Sequence, residues 1–178
     1  MTLTPREAIT HGQVWLRQFG HFEPEHQGYM GFSRPGRRAS MLSRMEDGAL
    51  VFIWGHSREA AKDWQGRFMG VLQLRKAVAD ADSVSTSHGK RLREDSANEF
   101  HEAIPAMRAW VALPTGRVRM KLVLPDSWTK ARSIGQNSAQ ATQREISLFE
   151  DLRIAEVPVL APASAGVGPF KSVSDLFR

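Results

Sequence analysis

The sequence predicts an α+β domain built around a central sheet, and three observations carry that class. First, "ALVFIW" (49–54) and "RFMGVLQLRK" (67–76) are nearly continuous apolar runs, the pattern of strands at the centre of a sheet rather than at its edge. Second, "MRAWVALPTGRVRMKLVLP" (107–125) reads as a hairpin bent at Thr115-Gly116. In its second strand Val118, Met120, Leu122 and Leu124 alternate with Arg117, Arg119 and Lys121, so one face is core and the other cationic. Third, Thr4 with Glu7 and Ser96 with Glu99 are spaced as capping boxes, which open helices.

Taken in order, Thr4 caps, Pro5 suits the first helical position, and Ala8, Ile9, Trp15, Leu16 and Phe19 fall near one face of a helix over 5–19, with Gly20 as its stop. Gly12 opposes this, because an interior glycine costs about 1 kcal/mol relative to alanine. The alternative is a short helix to His11 followed by a strand over 13–19. Residues 20–40, rich in Gly, Pro and basic side chains, read as a long loop. Met41, Leu42 and Met45 form one apolar turn before the Asp47-Gly48 bend that launches the first central strand. The polar stretch "GHSREAAKDWQG" separates the two central strands.

From Ala79 to Ser96 the chain is a charged insertion. The second capping box then opens a short helix over Phe100, Ala103 and Ile104 that Pro105 ends. After the hairpin, a polar loop leads to a helix capped near Ser138 that buries Ala141, Leu148, Phe149 and Leu152, and a short strand follows at 157–160. Residues 1–162 form one domain by this reading. The Pro, Gly, Ser and Ala-rich segment 163–178 is a flexible tail that ends in a small docking element, Val173, Leu176 and Phe177.

The chain of 178 residues, 42% of them hydrophobic, is large enough to bury a core of its own. Twenty-four Lys and Arg against nineteen Asp and Glu give a formal charge of +5, which tilts the choice of partner toward polyanions. With no cysteine there are no disulfides, thiolate nucleophiles or Cys-type zinc sites. The N-terminus lacks a basic-then-apolar secretory pattern, and no stretch approaches the ~20 apolar residues of a membrane span, so a cytoplasmic location without membrane contact is expected.

Several chemistries fail on spacing. There is no Gly-rich Lys-Ser/Thr phosphate loop, no nucleophile elbow and no helical two-His zinc motif. The run "HFEPEH" gathers His21, Glu23, Glu25 and His26, but Pro24 interrupts it and the plain reading is a solvated loop. A nuclease core needs a lysine soon after the candidate Glu145, where Ile146 and Ser147 stand instead. Glu150 and Asp151 are neighbours on the expected helix and point apart, which does not suit paired acid–base work. No catalytic residue, metal or cofactor is nominated.

"DGALVFIWGHS" followed by "GRFMGVLQLRK", together with the run from "MRAWVAL" through "VRMKLVLPDSWTKARSIGQNSAQATQREISLFEDL", resembles the PUA-like superfamily and in particular its EVE and YTH branches, over about residues 41–160. The resemblance implies a small, curved, mixed or antiparallel β-barrel flanked by helices, whose mouth holds a flipped and usually modified base in an aromatic cage. It further implies a non-catalytic nucleic-acid-binding module, in bacteria often the specificity half of a modification-dependent restriction or defence system. Carried over by position, Trp54, Gly55, His56 and Ser57 line the pocket, with Ser133 and Asn137 near it. Two departures stand out: a helical N-terminus where the family commonly begins with a strand, and an insertion over 79–96 without the tryptophan that some members supply. Trp15 or Trp64 is the substitute cage wall.

The physics of such a pocket is independent of family, since stacking on an aromatic face gives roughly 1–3 kcal/mol per base. A glycine at a strand end lets a planar ligand approach closely, as Gly55 does beside Trp54. Trp110, in mid-hairpin, reads as core, whereas Trp64 sits in a polar loop with no core to join. Three basic clusters are candidates for phosphate contacts: Arg34, Arg37 and Arg38; Lys90, Arg91 and Arg93; and Arg117, Arg119 and Lys121. Each also reads as a solvated face. The expected partner is nucleic acid, DNA ahead of RNA. A reading of another class is a protein-interaction or regulatory domain that binds a partner or forms a homodimer through its C-terminal tail.

Overall fold

The computed structural model describes residues 1–19, 29–32, 35–55, 62, 65–80, 102–112, 139–141, 146–159 and 168–178; for 18–19, 29–32, 35–39, 79–80, 102–103 and 139 it describes the backbone alone. These residues form an α+β structure whose nine strands are joined in one ladder. The main path runs β7 (Ala139–Gln140), β1 (Val14–Phe19), β3 (Leu50–Gly55), β4 (Phe68–Leu74), β6 (Glu102–Ala112), β8 (Arg153–Val157) and β9 (Lys171–Ser172). β2 (Tyr29–Phe32) and β5 (Ala79–Asp80) both pair with the first residues of β6. Only β1 and β3 are parallel; the other pairs are antiparallel. Among the described residues β7 and β9 do not pair, so the sheet is mixed and open there.

Helix α1 (Pro5–Thr10) begins with the expected capping box: Thr4 Oγ accepts from the Glu7 N–H at 3.2 Å and the Glu7 carboxylate accepts from the Thr4 N–H at 2.8 Å. It does not continue to residue 19. Gly12 adopts φ +68°, a left-handed conformation that terminates the helix, and the chain enters β1 at Val14. The shorter-helix alternative is therefore the observed one. Trp15 and Leu16, placed on one helical face by the longer reading, point to opposite faces of the sheet, Leu16 toward α1 and Trp15 away from it.

The expected loop over 20–40 holds β2 and the start of α2 (Pro35–Arg44). Topology explains the helix: adjacent parallel strands need a crossover connection, and α2 lies in the one between β1 and β3. Met41 and Met45 fasten it to the sheet beside Trp15, Val51, Ile53 and Leu72. On the opposite face Leu16, Leu50, Phe52, Trp54, Phe68 and Trp110 are covered by α1 and by two 3-10 turns, Ser147–Phe149 and Val173–Phe177. β3 and β4 are buried along their whole length, as their unbroken apolar runs require. Gly70 is the closest approach in this layer, since a Cβ there would stand 2.2 Å from the Trp110 carbonyl oxygen.

Four further expectations change. The segment expected as a helix ended by Pro105 is the start of β6, and Pro105 lies within that strand. It is tolerated there beside a register shift opposite Ala106, and its carbonyl accepts from the Arg75 N–H at 2.9 Å. Of the helix expected from Ser138, Ala139–Gln140 form β7, residues 142–145 lie outside the described residues, Ile146 is helical, and Ser147–Phe149 is a 3-10 turn in which Phe149 is buried and Leu148 is exposed. The strand expected at 157–160 lies earlier, at 153–157. From Gly168 onward the tail is part of the sheet and core: β9 pairs with β8, and Val173 and Leu176 are buried in the chain's own interior.

Candidate functional site

The end of β3 is built by its neighbours. A register shift in the β3–β4 ladder falls between Ile53 and Trp54, and the Gly55 N–H donates to the Arg67 carbonyl at 2.9 Å. The Gly55 carbonyl accepts from the Gly66 N–H at 2.9 Å, and Gly66 turns the chain at φ +63°. Gly55 and Gln65 form an isolated bridge, so residues 56–64 leave and re-enter the sheet at one point.

Below this neck lies an aromatic layer. Phe52 stacks on Phe149 at 5.0 Å and on Phe68 at 6.1 Å, and Trp54 tilts against Phe68 at 5.2 Å and Phe149 at 6.2 Å. Trp54 has 0% of its surface exposed, and so have Trp15 and Trp110. The indole N–H groups of all three lack a hydrogen-bond partner among the described residues. Trp54 and Trp15 are thus core planes, on opposite faces of the sheet, rather than surfaces a base can stack on. Burial wins because β3 is buried along its whole length and Val14–Leu16 of β1 are covered on both faces.

Gly55 is buried at the strand end. His56, Ser57, Trp64, Ser133 and Asn137 lie outside the described residues, as do the side chains of Arg34, Arg37, Arg38, Lys90, Arg91, Arg93, Arg117, Arg119 and Lys121. The ladder nevertheless fixes where their segments begin. Phe19 pairs with Gly55, so 20–28 and 56–64 depart from adjacent strand ends. β6 runs in the same direction as β3, both being antiparallel to β4, and the hairpin sequence leaves that same end after Ala112. β7 enters antiparallel to β1, with Ala139 opposite Leu16, so the "RSIGQNS" loop returns from that end as well. The described strand residues from which the segments of His56, Ser57, Trp64, Ser133, Asn137 and Arg117–Lys121 depart, or to which they return, therefore lie at one end of the sheet.

The segments of the other two basic clusters are anchored at the opposite end. Phe32 and Asp80 both pair with Glu102, so Arg34 follows, and the 81–101 insertion both leaves and returns, at the beginning of β6. Glu102 and Ala112 are separated by up to about 33 Å at extended-strand rise. The anchor points of the three clusters are therefore divided between the two ends.

Two arginines that the sequence reading passed over lie at the first end. Arg17 pairs with Ile53, and Arg67 stands opposite Gly55; both are partly buried. A lone arginine at the margin of an apolar run carries no spacing signal, and only the ladder shows that the two lie on either side of β3.

Among the described residues, a bidentate charged pair lies elsewhere. Arg108 donates to Glu156 through Nε at 2.8 Å and Nη2 at 2.9 Å, with its guanidinium 4.7 Å from the centre of the Trp110 ring. Those hydrogen bonds hold the Glu156 carboxyl below its ordinary value, partial burial opposes this, and the charges of Arg108 and Lys171 add to the lowering. Arg108 is raised by the same bonds. With both partners satisfied, the pair bolts β6 to β8.

Among the described residues no three His, Asp or Glu side chains group as metal ligands do, and "HFEPEH" lies outside them. No helix among them is long and apolar enough to cross a membrane. Comparison with protein-family models, with curated proteins and with solved structures found no match for this chain.

Proposed function

We propose that the protein is a non-catalytic nucleic-acid-binding module that reads a modified, flipped base, with DNA as the preferred polymer. In this reading the sheet curls into the small PUA-like barrel of the EVE type, and the module is the specificity half of a modification-dependent restriction or defence system. One observation carries it: the segments bearing His56, Ser57, Trp64, Ser133, Asn137 and the Arg117–Lys121 cluster all begin at one end of the sheet. Ligand sites on rigid sheets are commonly assembled from such loops. The +5 charge supports a polyanionic partner.

The aromatic plane in this proposal is Trp64 rather than Trp54 or Trp15, which are spent in the core. His56, Ser57, Ser133 and Asn137 supply the donors and acceptors that read the edge of the base. The test is fluorescence anisotropy with single- and double-stranded oligonucleotides, plain and carrying modified cytosine or adenine, at low and physiological salt. Binding that favours a modified strand and weakens by about 1–3 kcal/mol in Trp64→Ala is the expected result. Equal affinity of wild type and Trp64→Ala for every oligonucleotide, or no binding at low salt, overturns the reading.

A further inference from the structure

The segment 168–178 is held by the rest of the chain much as a bound peptide is held. Its backbone runs antiparallel to β8: the Gly168 N–H donates to the Glu156 carbonyl at 3.1 Å, Ile154 pairs with Lys171, and Arg153 pairs with Ser172. Past β9 the Val173 N–H donates to the Leu152 carbonyl at 2.7 Å and the Ser174 N–H to the Glu150 carbonyl at 3.0 Å. A capping box of Ser172 and Asp175, with the carboxylate accepting from the Ser172 N–H at 3.1 Å, then bends the segment into the 3-10 turn Val173–Phe177. That turn puts Val173 and Leu176 into the core cluster that holds Leu3, Ala8, Ile9 and Leu152, and Phe177 packs against the same cluster. Residues 150–156 and the α1-side core are thus a seat, and 168–178 carries what the seat recognises.

None of these contacts requires seat and segment to belong to one chain. The run that joins them, "PVLAPASAGV" (158–167), contains two prolines and a majority of small residues. Pro158 and Pro162 each bias the residue before them toward extended backbone, which works against a tight reversal.

We propose that 168–178 is an exchangeable strap and that its second occupant is the strap of another copy of this chain, two copies closing each other reciprocally. The seat fits that occupant by construction, since it already holds the identical segment. Every hydrogen bond and buried contact described above is common to the closed monomer and the exchanged dimer. The two differ only in closure of the joining run against association of two chains, so concentration sets the balance. A short flexible tether corresponds to an effective concentration of about a millimolar, which places exchange at about 0.1 mM and above. The proposal does not rest on the nucleic-acid reading.

A chain without cysteine makes the test direct. The bond from the Val173 N–H to the Leu152 carbonyl marks Arg153 and Ser172 as a non-hydrogen-bonded pair. The Cα atoms of such a pair lie about 4.5 Å apart, within reach of a disulfide. Full-length Arg153→Cys and Ser172→Cys are prepared separately, checked by thermal melt, and oxidised alone and as a mixture at about 0.5 mM, half the tether's effective concentration. A cross-linked heterodimer at least about fivefold above the homodimers of either variant alone is expected, because residue 153 of one copy meets residue 172 of another only when a strap has changed seats. Sedimentation of the wild type over the same range should show a dimer fraction that rises with concentration. Arg153→Cys/Ser172→Cys, oxidised while dilute so that each strap is bolted to its own seat, should stay monomeric until reduced.

A mixture that cross-links no more than either variant alone, a wild type that is monomeric up to about the millimolar tether concentration, or a bolted variant that dimerises like the wild type overturns the exchange. Should a cysteine variant not fold, Pro158→Gly/Pro162→Gly decides: relaxing the joining run should shift the sedimentation series toward monomer, and an unchanged series overturns the exchange.

Discussion

The two ends of the central strands are held in opposite ways. Where β3 begins, the chain is latched by polar contacts. Thr2 Oγ donates to the Asp47 carboxylate, the Leu3 N–H donates to the Asp47 carbonyl at 2.8 Å, and buried Gln73 donates to the Leu3 carbonyl at 2.8 Å. Gln13 accepts from the Glu46 N–H at 2.8 Å, and the Thr2 contact holds the Asp47 carboxyl below its ordinary value. Where β3 ends, Trp54, Phe52, Phe68 and Phe149 pack as an aromatic layer, and the polar segments leave directly above it. One end spends its polar groups on closing the fold. The other packs apolar rings beneath the point where the chain leaves the sheet.

That contrast can be broken most severely from the aromatic end. Trp54→Ala should cost about 3–5 kcal/mol in a denaturant melt, because a fully buried indole leaves a cavity among rings that cannot collapse. A cost under 1 kcal/mol would show that the layer is loosely packed and that Trp54 is free for other work. At the latched end Gly48→Ala should cost about 2–4 kcal/mol. Gly48 sits at φ +95°, and a Cβ there would stand 2.4 Å from the Leu3 carbonyl oxygen, which is backbone and has little room to yield.

A smaller effect is expected from Gln73→Leu, about 1–3 kcal/mol, since it leaves the carbonyls of Leu3 and Gly48 without the Gln73 donor. Its signature is faster amide exchange at the N-terminal segment with little change at the aromatic end. Glu156→Gln should cost about 0.5–1 kcal/mol at neutral pH, the pair being part-exposed and screened. The sign with pH is fixed by a depressed carboxylate. The contribution is fully present above the ordinary glutamate pKa of about 4.3 and is lost as pH falls through the lower folded value. Wild type and variant should therefore converge in stability in acid, and a gap that widens there would refute the assignment. Least of all should stability respond when residues 57–63 are replaced by a Gly-Ser segment of equal length. A change within about 1 kcal/mol is expected because the Gly55, Gln65 and Arg67 contacts that close the neck remain.

Legibility along the chain followed how local the deciding force is. The Thr4–Glu7 capping box, the Asp47-Gly48 bend and the two central strands were all readable, because a cap, a left-handed glycine and an unbroken apolar run each act within a few residues. Pro105 was misread for the opposite reason. Its bias against continuing a helix is local, but its place within β6 depends on partners tens of residues away in β2 and β4. Ala141, Leu148, Phe149 and Leu152 had helical spacing, yet β7 pairs with the edge of β1 just before Ala141, and a 3-10 turn buries Phe149 against Phe52 while Leu148 is exposed. Trp54 was legible as a strand end beside a glycine. Its exposure was not, since burial depends on what covers both faces of the sheet.

The sequence by itself determined the α+β class, the central strand pair, the first helix start and the net positive charge, all of which follow from composition or from contacts a few residues apart. Tertiary structure alone decided that β1 lies parallel to β3, with α2 as the crossover this demands, and that Trp15 and Trp54 belong to opposite faces of one core. It also decided which described strand ends, and so which outgoing segments, are anchored at the same end of the sheet. Strand register relates residues far apart in the chain through backbone hydrogen bonds common to every residue type, so no local pattern of side chains encodes it.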